Sequence, residues 1–166
     1  NVERARAALD SIHNKDDMDY QAARLWLYVR EKDYNGAKAF AAKATDEVKR
    51  MPGFWLIVAM VAHAQGNLEE ARQANAEAKR IALASLLQRL DNPEALGGLA
   101  FAEAALGRKE EALRHARHAT EILPPSADAL AGPMCENRLA QVLAVTGDRD
   151  GAFDQLSKLV KLPFGL

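Results

Sequence analysis

Two histidines three residues apart are the first residues in this sequence that could do chemistry. His115 and His118 share a helix face with the nearby Glu111, because side chains at i, i+3 and i+4 are neighbours on a helix. A structural zinc site needs four such ligands, and no other histidine or cysteine lies near them in sequence. The pattern favours an exposed helix face, and we predict neither a metal nor a cofactor.

Cys135 lies in the first turn of a predicted helix, just after Pro133. A helix N-terminus can lower the pKa of a thiol, but a nucleophile also needs a base, and no histidine is near in sequence. We therefore interpret Cys135 as a packed thiol.

The glycine pair Gly97-Gly98 invites comparison with a phosphate-binding loop. It lacks the GxGxxG spacing, and no strand precedes it. Each glycine inside a helix costs about 1 kcal/mol relative to alanine. Close approach of a neighbouring helix would offset that cost and is favoured over a ligand.

The remaining charged pairs have a structural explanation. Glu69-Glu70 and Glu110-Glu111 open predicted helices, where carboxylates complement the helix dipole. No Ser-His-Asp order and no paired catalytic carboxylates stand out, so the sequence predicts no enzyme.

Composition limits the partners. Hydrophobic residues make up 49% and charged residues 27% of the 166 residues, which is typical of a globular chain. Lysine and arginine total 22 against 23 acidic residues, so the net charge of −1 gives no general attraction to nucleic acid or to anionic membranes. The longest apolar run, 54–62, is far shorter than the ~20 residues that span a bilayer. We expect no nucleic-acid partner for this domain, no membrane association and a cytoplasmic location.

The elements that must position these residues follow from a fourfold repeat. A turn residue is followed five places later by alanine in Lys32–Ala37, Gly66–Ala71, Gly107–Ala112 and Gly147–Ala152. Alanine also recurs seven residues before the three turn glycines, at Ala59, Ala100 and Ala140. Glycine permits the positive φ that ends a helix, and the alanines allow two helices to approach closely.

Helices are predicted for every segment between these turns and loops. Their ranges are 2–13, 18–31, 34–49, 53–65, 68–90, 93–106, 109–122, 133–146 and 149–160. Residues 123–132 form the one obvious loop, and no strand pattern occurs.

This pattern resembles the tetratricopeptide repeat, in which about 34 residues form two antiparallel helices around such a turn. The resemblance implies an all-α fold, a right-handed α-solenoid of antiparallel helix hairpins. It divides a single domain, 1–166, into a partial repeat, 1–17, and four repeats, 18–51, 52–92, 93–132 and 133–166. No single hairpin can bury its apolar stripe alone, so the stripe is buried by stacking.

The last part of the chain, 118–166, carries a narrower resemblance. Its motifs include His118 to Pro124, Gly132-Pro133, Gly147-Asp148 and Ala152 to Leu156. They resemble the C-terminal repeat region of large bacterial regulators, in which the repeats follow a protein kinase, adenylyl cyclase or winged-helix domain. The resemblance implies a part in bacterial signalling or transcription regulation.

The same resemblance implies a concave groove lined by the first helix of each repeat. The candidate groove residues are Trp26, Arg30, Leu56, Met60, His63, Phe101, Asn137 and Gln141. One register position is apolar in successive repeats, at Trp26, Met60 and Phe101. Packing between helices would explain apolar residues at this position as well as a groove would. Such a groove suits an amphipathic helix or an extended peptide. The predicted function is a protein–protein interaction scaffold, and the alternative is a structural module for self-association.

The two ends of the sequence are apolar. The first helix has no predicted partner, so Ala5, Leu9 and Ile12 present an uncovered stripe, and the last five residues, 162–166, are apolar as well. Uncovered faces of this kind favour association. We expect the natural protein to extend in at least one direction, or this chain to self-associate.

Overall fold

The computed structural model describes residues 2–162, in which every regular element is an α-helix. The all-α prediction is therefore confirmed for the described residues. The ten helices are α1 (Val2–Asp10), α2 (Met18–Arg30), α3 (Tyr34–Ala42), α4 (Asp46–Lys49), α5 (Pro52–Ala64), α6 (Leu68–Gln88), α7 (Pro93–Ala105), α8 (Lys109–Ile122), α9 (Ala131–Val145) and α10 (Arg149–Leu159). Of the predicted apolar C-terminal segment, residues 163–166 lie outside the described residues.

The helices form two units, Asn1–Glu77 (unit 1) and Ala78–Leu166 (unit 2), and the boundary falls within α6. In unit 1, α2 packs against α1, α3, α4 and α5, and α5 also packs against α3 and α4. In unit 2, α7, α8 and α9 pack against one another, and α10 packs against α9.

Each unit has its own apolar core. Leu25 and Val48 are the least exposed large side chains of the unit 1 core, which also contains Phe54, Ile57 and Val61. Unit 2 has two clusters, one containing Leu96 and Leu99 and the other containing Ala100, Ala116 and Val142.

The four predicted turns share one backbone conformation. The turn residue has a positive φ each time, 58° at Lys32, 77° at Gly66, 80° at Gly107 and 90° at Gly147. The next residue then donates its N–H at 2.8–3.0 Å to a carbonyl oxygen five residues back, in the pairs Asp33–Tyr28, Asn67–Ala62, Arg108–Glu103 and Asp148–Leu143. This six-to-one bond is the Schellman ending of an α-helix. Lys32 adopts this left-handed conformation although it is not a glycine, and for such a residue the conformation costs about 1–2 kcal/mol.

The alanines of the repeat are buried as predicted. Ala37, Ala71, Ala112 and Ala152 are at most 5% exposed, and so are Ala59, Ala100 and Ala140. A methyl group at these positions lets neighbouring helices approach closely, which a larger side chain would prevent.

The predicted single helix 34–49 is wrong, because α3 ends at Ala42 and α4 begins only at Asp46. The interruption is held by a side chain from α2. The N–H of Thr45 donates to Oε1 of Gln21 at 3.0 Å, and Gln21 is only 4% exposed. A side chain from another helix thus satisfies the backbone that the break leaves unpaired.

Several other predicted helix ends shift by one to three residues, and hydrogen bonds account for two of these shifts. The first helix ends at Asp10 rather than at residue 13, and the Lys15 ammonium donates to the carbonyl oxygens of Leu9 and Asp10, each at 3.3 Å. Helix α9 begins at Ala131 rather than at Pro133. The Asp128 carboxylate accepts the N–H groups of Leu130 and Ala131, each at 2.8 Å, and so opens α9 early.

The first helix has no buried residue. Ala5 and Ile12 are exposed, while Leu9 is half-buried. Two ion pairs join α1 to α2 and its C-cap: Arg6 to Glu31 at 2.7 Å, and Arg24 to Asp10 at 2.8 Å.

Candidate partner-binding pocket

The groove residues predicted in unit 1 differ widely in exposure. Trp26 is 43% exposed, and Arg30 and His63 are exposed as well. Met60 is half-buried, whereas Leu56 is only 4% exposed and packs inside the unit. A partner can therefore touch Trp26, Arg30 and His63, but it cannot reach Leu56 in this conformation.

In unit 2, three of the predicted groove residues surround or adjoin one arginine. The Arg138 guanidinium lies over the Phe101 ring, 5.2 Å from its centre, and Nη1 donates to Oε1 of Gln141 at 2.8 Å. Asn137 precedes Arg138 in α9 and is half-buried. Burial lowers the pKa of Arg138, although the group stays charged near neutral pH. Sequence reasoning missed this arginine, which connects Phe101 to Gln141.

Gly97 makes room for that arginine. A Cβ atom at Gly97 would lie 3.3 Å from Cγ of Arg138, which is tighter than most real contacts. Close approach of a neighbouring helix, the explanation favoured from sequence, is thus confirmed for Gly97.

An apolar pocket lies in unit 1, between α3 and α5. It has a volume of about 240 Å³. Its floor and walls are the apolar side chains Leu25, Ala37, Ala41, Ala42, Phe54, Trp55, Val58, Val61 and Ala62, and its polar lining residues are Lys38, Lys49, Gln65 and Glu70. We call it the α3–α5 pocket.

The α3–α5 pocket lies where α3 ends early. Helix α3 has nine residues, whereas α8, at the same place in its repeat, has 14. Ala41 and Ala42, at the end of α3, line the pocket together with the half-buried Trp55 and Val58 of α5. Sequence reasoning did not predict this interruption.

Trp55 is fixed in its place in the pocket wall. Its indole N–H donates to the Lys49 carbonyl oxygen at 2.8 Å, and its ring meets Phe54 edge-on with centroids 5.3 Å apart. A tryptophan with its polar group satisfied and one face open is a good binding surface, because it loses little conformational freedom when a partner binds.

The polar side chains of the pocket are also held in position. Lys38 Nζ donates to Oε2 of Glu70 at 2.6 Å, and the same oxygen accepts from Nδ2 of Asn67 at 2.7 Å. Gln65 donates to Oδ1 of Asn35 at 2.9 Å. The Lys38 side chain is 54% exposed, so the pair adds at most about 1 kcal/mol to stability and serves mainly to orient the two groups.

A buried carboxylate in unit 2 is the other concentration of polar contacts. Glu103 is 4% exposed, and it accepts from Lys79 Nζ at 3.0 Å and pairs with Nδ1 of His115 at 2.8 Å. His118 is exposed and takes no part. Among residues 2–162, no three side chains of the metal-binding types come together as ligands for an ion.

Cys135 is buried, and its pKa is raised by that burial and by the nearby carboxylate of Glu136. A raised pKa keeps the thiol protonated near neutral pH, which agrees with a packed side chain.

No family model and no curated protein matches this chain. Within residues 2–162, none of the helices combines the length and the apolar character that crossing a membrane requires.

Proposed function

We propose that this chain is a protein–protein interaction module that anchors an apolar side chain of a peptide or helix in the α3–α5 pocket. The observation that carries the proposal is the combination of a half-open Trp55 and Val58 with a polar edge whose side chains are already oriented. Preorganised polar groups beside an apolar cavity are what a specific binding site requires.

The size of the pocket favours a side chain over a free small molecule. Sites for drug-sized ligands and cofactors occupy roughly 300–1,000 Å³. The α3–α5 pocket, at about 240 Å³, lies below that range. It suits one large apolar side chain of a longer partner, whose backbone would continue over the surface. Of the two lysines that line the pocket, Lys38 pairs with Glu70, so Lys49 supplies one further positive charge, which favours an acidic residue beside the anchor.

The solenoid expected from the repeat resemblance is part of this proposal. The recurrent turns and buried alanines support stacked hairpins of the tetratricopeptide type. In such an array Trp26, Met60 and Phe101 would belong to a concave groove, and the pocket would supply a deeper anchoring point. We propose that the chain is not an enzyme, needs no cofactor and acts within a cytoplasmic bacterial regulator.

Selection from a displayed library of random peptides, each about 12 residues long, tests this proposal. We expect the enriched peptides to share one leucine, phenylalanine or tryptophan next to an acidic residue. Val58→Trp fills the pocket and should weaken the best peptide at least about tenfold, which corresponds to about 1.4 kcal/mol. Ala64→Trp is the matched control, because Ala64 is exposed on the same helix and does not line the pocket.

Two further variants keep the result interpretable. Ala41→Phe fills the pocket from α3 and should reproduce the loss if Val58→Trp disturbs folding. The double variant Trp26→Ala/Met60→Ala removes the groove predicted from sequence. Loss of binding with that pair alone would overturn the pocket as the anchor, and a library with no enriched peptide would overturn the interaction module.

A second role, self-association, is supported by an exposed apolar stripe on α10. Phe153 and Val160, two large apolar side chains of that stripe, are each more than two-thirds exposed. Large apolar surfaces left open on a folded chain mark sites of association.

A further inference from the structure

Arg24 and Arg138 each lie over an aromatic ring, but among the described residues only Arg24 of the two has a carboxylate partner. The Arg24 guanidinium lies 5.3 Å from the centre of the Tyr28 ring, and its Nη1 contacts Oδ1 of Asp10 at 2.8 Å. The Arg138 guanidinium lies 5.2 Å from the centre of the Phe101 ring. The arrangement at Arg138 is therefore that of Arg24 without its anion.

The guanidinium of Arg138 has one edge free. Its Nη1 donates to Oε1 of Gln141 at 2.8 Å, whereas Nε and Nη2 have no acceptor within the part of the chain that the structure describes. Neither of these two nitrogens is sealed from solvent. Nε and Nη2 form the edge of a guanidinium that can receive both oxygens of a carboxylate in a bidentate pair. A partner can therefore reach both donors that such a pair needs.

The packing of α7 against α9 holds this edge in place. Gly97 leaves the space that the Arg138 stem fills, since a Cβ there would lie 3.3 Å from Cγ of the arginine. Phe101 follows one turn later on the same face of α7 and lies against the guanidinium, while Gln141 of α9 fixes Nη1. A side chain that is already fixed loses little conformational freedom when a partner binds.

The charges around Arg138 select the kind of anion. Burial removes part of the water around this cation, so its attraction to an anion is less screened than that of an exposed arginine. The ionisable groups that act on it are Cys135 and the exposed Glu94 of α7, and neither is a cation. One positive charge matches the single charge of a carboxylate better than the roughly 1.5–2 charges of a phosphate group.

We infer that Arg138 binds a carboxylate of a peptide or protein partner through Nε and Nη2, so that the partner supplies the charge that Asp10 supplies to Arg24. Met134 lies one turn before Arg138 on the same face of α9 and is 63% exposed. Its thioether offers a contact to an apolar group beside the carboxylate. The class of ligand is thus an acidic residue or a chain end next to an apolar residue.

Titration of the ¹⁵N-labelled full chain with acetyl-Leu-Asp-amide tests this inference. The Nε–H resonance of Arg138, identified by its absence from the spectrum of Arg138→Lys, should shift and saturate at millimolar peptide. Acetyl-Leu-Asn-amide has nearly the same shape without the charge and should leave the resonance in place. The inference does not rest on the α3–α5 pocket, so Val58→Trp should leave the titration unchanged.

Four variants test the role of the arginine. Arg138→Gln should weaken acetyl-Leu-Asp-amide about tenfold or more, because the charge and the bidentate edge are lost. Arg138→Lys retains the charge without the planar fork and should weaken the peptide about threefold, which gives a second test if Arg138→Gln does not fold. Arg117→Gln, which removes an exposed arginine of α8, is the matched control and should bind normally. Glu94→Gln should strengthen binding about twofold, because a nearby negative charge is removed.

Two further probes identify the source of the carboxylate. Acetyl-Leu-Leu with a free C-terminus offers a chain end, and inorganic phosphate offers the other oxoanion that arginine pairs with. Tighter binding of the free C-terminus would assign a chain end as the ligand, and tighter binding of the aspartyl peptide would assign an acidic side chain.

Several outcomes would overturn the inference. One is phosphate binding more tightly than both peptides, and another is the asparaginyl peptide binding as well as the aspartyl one. Unchanged binding in Arg138→Gln, an equal loss in Arg117→Gln, or weaker binding in Glu94→Gln would each exclude Arg138 as the carboxylate site.

Discussion

The carboxylate of Glu103 joins side chains from two other helices of unit 2. Lys79 comes from α6 and His115 from α8, and both contact a carboxylate that is almost completely buried. A buried charge is stable only when its partners satisfy it, and removing one member of such a group leaves the others unpaired.

We therefore predict that Glu103→Ala lowers the free energy of unfolding by about 3–5 kcal/mol. The loss combines two terms. One is the broken polar contacts to Lys79 and His115, and the other is the cavity that the shorter side chain leaves beside α7. Urea denaturation followed by circular dichroism measures it. Asp154→Ala, at an exposed position in the middle of α10, should change the stability by less than about 0.5 kcal/mol. Similar losses for the two variants would contradict the role given to Glu103.

At the scale of the element, the four turns form a series in which one member lacks glycine. Lys32 has the same positive φ and the same hydrogen bonding as the three glycines, so tertiary context imposes the conformation. The strain falls on the lysine backbone rather than on any contact of its side chain.

Lys32→Gly should accordingly stabilise the protein by about 1 kcal/mol, less the extra entropy that glycine has in the unfolded chain. Gly107→Ala should have the opposite effect, because alanine at φ 80° is strained even though nothing lies within 4 Å of its Cβ. Comparing the melting temperatures of both variants with that of the natural chain measures these two effects. Destabilisation by Lys32→Gly would show that the lysine side chain has a role of its own.

The stabilisation that Asp128 gives to the start of α9 should depend on pH. Two backbone N–H groups, of Ala131 and Leu130, lower the pKa of Asp128. Because the folded pKa is below the unfolded value of about 3.9, the stabilisation is complete above that value. It is lost as the pH falls through the folded pKa.

Asp128→Ala should thus lower the melting temperature at pH 7, and the difference from the natural chain should shrink as the pH falls below about 4. Thermal melts at neutral, mildly acidic and strongly acidic pH measure this. Asp91→Ala is the control, because Asp91 is an exposed aspartate in the loop before α7. A difference that stays constant with pH would contradict the backbone-capping role.

Over the whole molecule, the features that sequence could predict are those set by local chemistry. Helix ends near Gly66, Gly107 and Gly147 follow from the preference of glycine for positive φ, and Pro93 begins α7 as expected. The turn at Lys32 is predictable only because the repeat register requires it.

Features that depend on side chains distant in sequence could not be predicted in this way. The break after α3 is bridged by Gln21, 24 residues before Thr45, and the α3–α5 pocket lies beside that break. Glu103 did give a signal, since it is the only charged residue between Ala95 and Ala105, but its partners Lys79 and His115 could not be identified from spacing.

The positions of the two tryptophans make fluorescence sensitive to only one of the two units. Both tryptophans, Trp26 and Trp55, belong to unit 1, and residues 78–166 contain none. Tryptophan emission therefore reports the unfolding of unit 1 and is blind to unit 2, whereas far-ultraviolet circular dichroism reports helices throughout. If the two midpoints differ, the units unfold separately, and a single free energy would not describe the chain. Iodide should quench Trp26, which is 43% exposed, more strongly than the half-buried Trp55.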